Sequence, residues 1–112
     1  MTFADAEALT AKLPGVEVST SYGTPALKVK GERFARLLDD GETLVLRTTT
    51  VNRDYLLEAW PDTFYLTDHY RNYPWVLVRL AQVERNHVAE LLSDAWELVA
   101  PARLRASRGG AT

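Results

Sequence analysis

Apolar residues recur along the chain at two different spacings, and each spacing predicts one kind of element. A helical spacing of three or four residues opens the chain, in the set Phe3, Ala6, Leu9 and Leu13. Thr2 and Asp5 have the pattern of a capping box, which marks a helix N-terminus. Pro14 and Gly15 then end the predicted helix.

The clearest amphipathic helix lies near the end of the chain and begins at Glu84 or Asn86. One arc of this helix is apolar and consists of Val88, Leu91, Leu92, Ala95, Leu98 and Val99. The opposite arc is polar and consists of Asn86, Glu90, Ser93 and Glu97. Pro101 stops the helix. A shorter helix is predicted for residues 52–60, where Pro61 ends it.

Six β-prone runs lie between the predicted helices, separated by turns rich in Gly, Pro and Asp. They are residues 16–21, 26–30, 33–38, 43–48, 63–67 and 75–80. The order α-β-β-β-β-α-β-β-α, with hairpin-length connections, predicts a two-layer α+β domain: an antiparallel sheet with helices on one face. Residues 1–101 are expected to form this single domain, and residues 102–112 a flexible C-terminal tail.

The last predicted strand has two different sets of alternate residues. Val76, Val78 and Leu80 are all apolar, so this set is expected to face the helices. Trp75, Leu77 and Arg79 would then lie on the open side of the sheet. An exposed Trp and Leu together indicate a partner surface or a base-stacking platform. A homodimer interface, or a cover formed by the C-terminal tail, explains them equally well.

Size and composition restrict the class of protein. A chain of 112 residues has room for one hydrophobic core. It has no cysteine, which excludes disulfides and thiol chemistry. No apolar run approaches the roughly 20 residues that span a bilayer, and residues 1–13 lack the pattern of a signal peptide. We therefore expect a cytoplasmic protein without a membrane partner.

Charge argues against general nucleic-acid binding but leaves room for a local basic patch. Three of the 13 basic residues and none of the 15 acidic ones lie in residues 101–112, so residues 1–100 carry 10 basic and 15 acidic residues. Binding to nucleic acid relies on Lys and Arg that neutralise phosphates. Such a patch is predicted in the hairpin around Gly31, which holds Lys28, Lys30, Arg33 and Arg36.

This basic hairpin has two interpretations. Lys28 and Lys30 have the same parity and should project from one strand face, where they would bind phosphate or carboxylate groups. Only Glu32 opposes the basic residues. Alternatively, the hairpin is solvated, and its charges keep an edge strand from pairing with other chains.

The connector, residues 68–75, concentrates aromatic and titratable groups in the sequence Asp68-His69-Tyr70-Arg71-Asn72-Tyr73-Pro74-Trp75. A loop held by two strands is a common place for binding residues. Asp68 and His69 are unsuited to a catalytic couple, because adjacent residues on an extended chain point in opposite directions. The predicted ligand or partner site is His69, Tyr70, Tyr73, Trp75 and Arg79. The alternative is that the aromatic rings only pack over the end of the sheet.

The sequence contains no residue pattern typical of a catalytic site or a metal site. The two histidines are far apart and there is no cysteine, so no metal site and no cofactor are predicted. His87, at the edge of an apolar arc, is interpreted as a packing residue. Nucleophile motifs and glycine-rich phosphate loops are absent, so we do not expect an enzyme.

Four segments occur in an order that resembles the MmcQ/YjbR family across roughly residues 3–100. They are Ser21-Tyr22-Gly23-Thr24-Pro25, residues 28–35 (Lys-Val-Lys-Gly-Glu-Arg-Phe-Ala), residues 68–78 of the connector and following strand, and Leu91-Leu92 with Ala95-Trp96. The resemblance implies an α+β fold related to that of the frataxin-like CyaY proteins. It also implies DNA binding, by the label the family often carries, and it supplies no catalytic residue. Iron binding is not expected, since the first helix offers only Asp5 and Glu7.

Three hypotheses follow for function. The first is DNA binding through the basic hairpin, with Trp75 stacking on bases. The second is a protein- or small-ligand-binding module that uses the open sheet face and the connector. The third and weakest is an enzyme that uses His69. The first requires that the basic hairpin and Trp75 share one face of the domain.

Overall fold

The computed structural model of the chain describes residues 1–110. Its helices are α1 (Phe3–Leu9), α2 (Thr50–Ala59), α3 (Arg85–Val99) and α4 (Ala102–Gly110), and a short 3₁₀ turn spans Asp68–Tyr70. Its strands are β1 (Val16–Ser21), β2 (Thr24–Val29), β3 (Glu32–Leu37), β4 (Thr43–Arg47), β5 (Phe64–Tyr65) and β6 (Trp75–Arg79). The predicted order of elements is confirmed up to α3.

The six strands form one antiparallel sheet in the order β1-β2-β3-β4-β6-β5. Helix α3 packs against β3 and β4, and α1 packs beside α3. The predicted two-layer α+β architecture is therefore correct. The strand residues that meet the helices are apolar and form the main core: Leu27, Val29, Phe34, Leu44, Leu46, Phe64, Val76 and Val78.

Helix α1 begins as its capping box predicts. The Thr2 hydroxyl accepts a hydrogen bond from the Asp5 backbone N–H, and the Asp5 carboxylate accepts one from the Thr2 backbone N–H. The hydrogen bonds that the Asp5 carboxylate accepts from Thr2, first from its backbone N–H and then from its hydroxyl, hold the pKa of Asp5 below its usual value. The helix ends at Leu9, four residues earlier than its apolar spacing predicts, although Leu13 is buried beyond it.

Two consecutive hairpins have two-residue turns of the type that matches the strand twist. Both central residues of each turn have positive φ: Tyr22 (55°) with Gly23 (82°), and Lys30 (51°) with Gly31 (81°). This is the type I′ pattern, for which Asn-Gly is preferred. Lys30 therefore lies in the turn after β2, and the prediction that it projects from the strand beside Lys28 is wrong. A two-residue turn that matches the strand twist needs two residues of positive φ, and Lys30 is the first of them.

Because a lysine with φ of 51° is strained, we expect Lys30→Asn to stabilise the domain. The expected gain in the free energy of unfolding is about 1 kcal/mol, since asparagine tolerates the left-handed region better than other residues with a side chain. Urea denaturation measures it. Lys12→Asn changes an exposed lysine outside that region and serves as the control, with no gain expected. Equal stability of Lys30→Asn and the parent chain would contradict the prediction.

The buried face of α3 is rotated from the arc that its aliphatic residues predict. The buried residues are Val88, Leu92, Ala95 and Trp96, whereas Leu98 is 42% exposed. The Trp96 ring is completely buried, and its indole N–H donates to the Pro14 carbonyl at 2.9 Å. A Trp buries more apolar area than a Leu, so its contact sets the orientation of the helix.

Residues 102–110, which belong to the expected C-terminal tail, form helix α4. The Leu104 side chain packs against the core, and its Cδ1 lies 2.8 Å from where a Cβ on Gly15 would be. The Arg108 guanidinium donates to the Ser93 hydroxyl of α3 at 2.6 Å. The helix thus lies on the helical layer and does not cover the open sheet face. Ala111 and Thr112 lie outside the described residues, and the flexibility expected of the segment stays a prediction.

Among the residues that the structure describes, none of the helices is both long and apolar enough to cross a membrane.

Candidate functional site

The open face of the sheet carries a second buried layer beneath a polar surface. Strand register places Ala26, Arg36, Val45, Leu77 and Tyr65 side by side across five strands. The three aliphatic members of this row are almost fully buried, yet they are not part of the main core under the helices. Side chains on the open face therefore pack over them.

The predicted parity of β6 is confirmed, but the predicted exposure of Leu77 is wrong. Val76 and Val78 belong to the main core, and Leu77 alternates with them. Leu77 is only 1% exposed, because its cross-strand neighbours Val45 and Tyr65 and the long side chains around them shield it. Trp75 is half-buried and Arg79 is exposed on the same face.

Arginines and aromatic rings alternate over this buried layer. The Arg33 guanidinium carbon lies 5.2 Å from the centroid of the Trp75 ring and 5.7 Å from that of Tyr22. Arg47 also lies over Trp75, at 5.9 Å. These distances are those of cation–π contacts. The basic hairpin and Trp75 therefore share one face, which the first hypothesis requires.

The same pattern continues to both sides of Trp75. Arg36 lies 5.1 Å from the Tyr22 ring, and Arg79 lies 4.0 Å from the Tyr65 ring. We call this surface the arginine–aromatic face; its residues are Tyr22, Arg33, Arg36, Arg47, Tyr65, Trp75 and Arg79. Lys28 lies at its margin, where it is paired in register with Arg33 and its amine donates to the Thr20 carbonyl at 3.3 Å.

A cavity of about 500 Å³ opens on this face where the β2–β3 hairpin meets the connector. We call it the hairpin–connector pocket; its lining residues are Tyr22, Arg33, Arg36, Leu38, Val45, His69 and Tyr70. The Arg36 guanidinium donates to the Tyr70 hydroxyl at 3.3 Å and lies 3.8 Å from the Asp39 carboxylate. The His69 ring meets the Tyr70 ring edge-on, with centroids 4.7 Å apart. Two residues from each predicted site thus line one cavity.

Arg53 of α2 holds the connector in place, and its role was not recognised in the sequence. Its guanidinium donates to the backbone carbonyls of Tyr73 at 2.6 Å and Arg71 at 3.2 Å. Longer contacts reach the carbonyls of Tyr70, at 3.5 Å, and Trp75, at 3.4 Å. The helical spacing could have indicated that Arg53 is buried. It precedes the buried Leu56 by three positions and so lies on the apolar side of α2.

Other predicted residues lie outside the pocket. Lys30 is exposed at the tip of its turn, and Tyr73 is 58% exposed. Asp68 forms an ion pair with Arg71 at 2.9 Å, so its carboxylate is engaged within the connector and not with His69. Arg47 and Tyr65 were missed as site residues, although Arg47 has the parity of Val45, which is opposite to that of core residues Leu44 and Leu46.

A group of carboxylates lies on the helical side of the domain. A cavity of about 190 Å³ between α2 and α3 is lined in part by Tyr55, Glu90 and Asp94. Burial, followed by the nearby Glu97 and Glu90 carboxylates, raises the pKa of Asp94. Carboxylates therefore gather along α3 on this side of the domain. Within the described part of the chain, no three His, Cys, Asp or Glu side chains are grouped closely enough to hold a metal ion.

Fold and site together define a two-layer α+β domain whose open sheet face is lined by arginine and aromatic side chains. The family model YjbR matches residues 11–98, and the chain belongs to the YjbR family.

The relatives that match this chain add no activity. Uncharacterised proteins of Mycobacterium tuberculosis and Mycobacterium bovis are each 43% identical to the chain over 49 residues, which is 44% of this chain. The match covers 38% of the length of each relative. The crystal structure of Deinococcus radiodurans protein DR2400, a DUF419 domain, superposes with a TM-score of 0.77 at 23% identity, over 96% of this chain and 88% of that one. This likeness shows a shared fold.

Proposed function

We propose that this domain is a noncatalytic binding module that holds single-stranded DNA on the arginine–aromatic face. The observation that carries the proposal is the position of Arg33, whose guanidinium lies over both Tyr22 and Trp75. A cation between two aromatic rings on the open face of a sheet offers phosphate contacts and stacking surfaces side by side. This is the combination that single-strand-binding proteins use.

Charge distribution supports the proposal despite the acidic composition. Lys28, Arg33, Arg36, Arg47 and Arg79 all lie on or beside one face of the sheet, whereas the carboxylates of α3 lie on the helical layer. A phosphate backbone responds to the local potential more than to the net charge of −2. The arginine–aromatic face can therefore attract a DNA strand even though the chain as a whole is acidic.

The shape of the face favours a single strand over a duplex. Recognition of the major groove in B-form DNA requires a helix or a two-stranded ribbon that enters the groove. Here the candidate residues lie across four adjacent strands, β3, β4, β6 and β5, in a broad surface. Aromatic residues on such a surface can stack only on bases that are not already paired and stacked in a duplex.

Fluorescence anisotropy with a labelled 12-nucleotide DNA strand tests the proposal. If about four phosphates are neutralised, the affinity should fall roughly 50-fold between 50 and 200 mM salt. Duplex DNA of the same sequence should compete poorly. Recovery of the oligonucleotide intact after incubation checks that the module is noncatalytic, and its cleavage would contradict that part of the proposal.

Charge reversal at Arg33 provides the residue-specific test. Arg33→Glu is expected to weaken binding of the strand at least tenfold at 50 mM salt, since it removes one phosphate contact and adds repulsion. Arg108→Glu makes the same change of charge on α4, beside Ser93 and Glu97 of the helical layer, and should leave the affinity nearly unchanged. Absence of binding by the parent chain at 50 mM salt, or equal loss in both variants, would sink the proposal.

A further inference from the structure

The hairpin–connector pocket differs from the rest of the arginine–aromatic face because it is concave and lined by residues from two separate parts of the chain. Tyr22 and Arg33 come from the hairpins, while His69 and Tyr70 come from the connector. Its volume of about 500 Å³ is within the usual range for small-molecule sites. Val45 and Leu38 contribute apolar surface to its lining.

Arg36 is held in a fixed orientation within this pocket. Its side chain is only 9% exposed, its guanidinium lies over the Tyr22 ring, and it donates to the Tyr70 hydroxyl. The Asp39 carboxylate lies 3.8 Å away but is 86% exposed, so water screens much of its attraction. A guanidinium that is already oriented loses little conformational entropy when it binds an anion.

Two guanidiniums approach the same ring. Arg33 lies 5.7 Å and Arg36 lies 5.1 Å from the centroid of Tyr22, so a ligand beside this ring meets both cations. An internal phosphodiester carries one negative charge, whereas a phosphate monoester carries about 1.5 to 2 at neutral pH. Because charge-assisted hydrogen bonds strengthen with the charge of the acceptor, the pair of arginines favours the monoester.

The remaining walls suit a planar group attached to that phosphate. Tyr22 contributes an aromatic ring from the hairpin part of the lining, and Tyr70 contributes one from the connector part. His69 packs edge-on against Tyr70. Tyr22 is also 82% exposed and has a φ of 55°, a strained conformation for a bulky residue. The type I′ turn imposes this φ and so sets the position of the Tyr22 side chain at the pocket.

We infer that the hairpin–connector pocket binds a nucleoside monophosphate unit, with the phosphate monoester on Arg33 and Arg36 and the base against the tyrosine rings. This deepens the proposed function and rests on it for one source of the ligand, the phosphorylated end of a DNA strand. The other source is a free nucleotide. In the first case the arginine–aromatic face would hold the strand beyond its end, toward Trp75 and Arg79.

Four probes separate these cases: a 12-nucleotide strand with a 5′-phosphate, the same strand with a 5′-hydroxyl, adenosine 5′-monophosphate, and adenosine. Binding to the parent chain is measured by calorimetry, and by competition against the labelled strand. The 5′-phosphate is expected to tighten binding of the strand about tenfold or more, as hydrogen bonds to a charged group do. Adenosine 5′-monophosphate should bind more tightly than adenosine by a similar factor.

Variants then assign the preference to the pocket. Arg36→Gln and Tyr22→Gly should each remove most of the advantage of the phosphate monoester. Tyr22→Gly keeps a residue that adopts positive φ freely, so the hairpin should still fold even if burial makes Arg36→Gln unstable. Arg108→Gln, on the helical layer, is the control and should retain the full advantage.

The outcomes distinguish this inference from the proposed function. A strand that binds equally with and without its 5′-phosphate, together with no binding of adenosine 5′-monophosphate, would overturn the pocket assignment and leave single-strand binding intact. Binding of the mononucleotide but of neither strand would overturn the proposed function and support the pocket with a free nucleotide as its ligand. A preference confined to the phosphorylated strand identifies the strand end. Failure of all four probes to bind would overturn both.

Discussion

Replacement of Arg53 by methionine is expected to lower the free energy of unfolding by about 2–4 kcal/mol, because it removes the donor for connector carbonyls from a partly buried site. Methionine retains the volume and flexibility of the aliphatic stem of arginine. The loss in free energy of unfolding therefore measures the contribution of the guanidinium and not the cost of a cavity. Arg53 is only 8% exposed, and water replaces its hydrogen bonds poorly. Urea denaturation gives the change in stability.

The same variant should loosen the connector more than the rest of the domain. Hydrogen exchange is expected to accelerate at the amides of residues 70–73 and of Trp75 beyond what global destabilisation explains. Arg85→Met, at the exposed start of α3, is the matched control, with an expected change within about 0.5 kcal/mol. If the two variants were equally stable, Arg53 would not be the anchor of the connector.

Removal of the Trp75 ring is expected to weaken binding of the 12-nucleotide strand about 10- to 100-fold, the usual contribution of one aromatic stacking surface. Trp75 is half-buried between Arg33 and Arg47, so Trp75→Ala should also cost some stability, and denaturation must accompany the binding measurement. Trp75→Phe keeps a ring at the same place and should restore most of the affinity.

Trp60→Ala is the matched control for this experiment. Trp60 is 41% exposed and packs against Phe64 and His87, on the helical side of the sheet. It should lose a similar amount of aromatic surface with little effect on affinity. If Trp75→Ala binds the strand like the parent chain, the prediction that a base stacks on the Trp75 ring is wrong. If it cannot fold at all, Trp75 is a core residue and the arginine–aromatic face loses its central ring.

Short-range pattern predicted most of the architecture because helix and strand periodicities depend on neighbouring residues. The capping box at Thr2 and Asp5 and the alternation along β6 were both confirmed. Alternation assigns a side chain to a face of the sheet but does not say what covers that face. The prediction for Leu77 was therefore correct about the face of the sheet and wrong about exposure. The side chains that cover Leu77 include Tyr65 of β5 and residues from β3 and β4.

Errors arose where a contact distant in sequence decided the local outcome. No helix was predicted after α3, yet Leu104 packs near Gly15, some ninety residues earlier, and α4 forms there. The buried side of α3 was shifted in the same way by the hydrogen bond from Trp96 to Pro14. Periodicity within a single helix contains no information about either partner.

The candidate site shows the same division. The sequence by itself determined that a basic hairpin and an aromatic connector exist, because each is a local cluster of residue types, and it determined the sheet face of Trp75 through alternation. Only the tertiary structure decided that they meet. Arg36 and Tyr70 are 34 positions apart, and their hydrogen bond depends on the strand order β3-β4-β6, which brings the connector to the edge of the hairpin. Strand order follows from how the whole core packs, and side-chain spacing along one segment does not encode it.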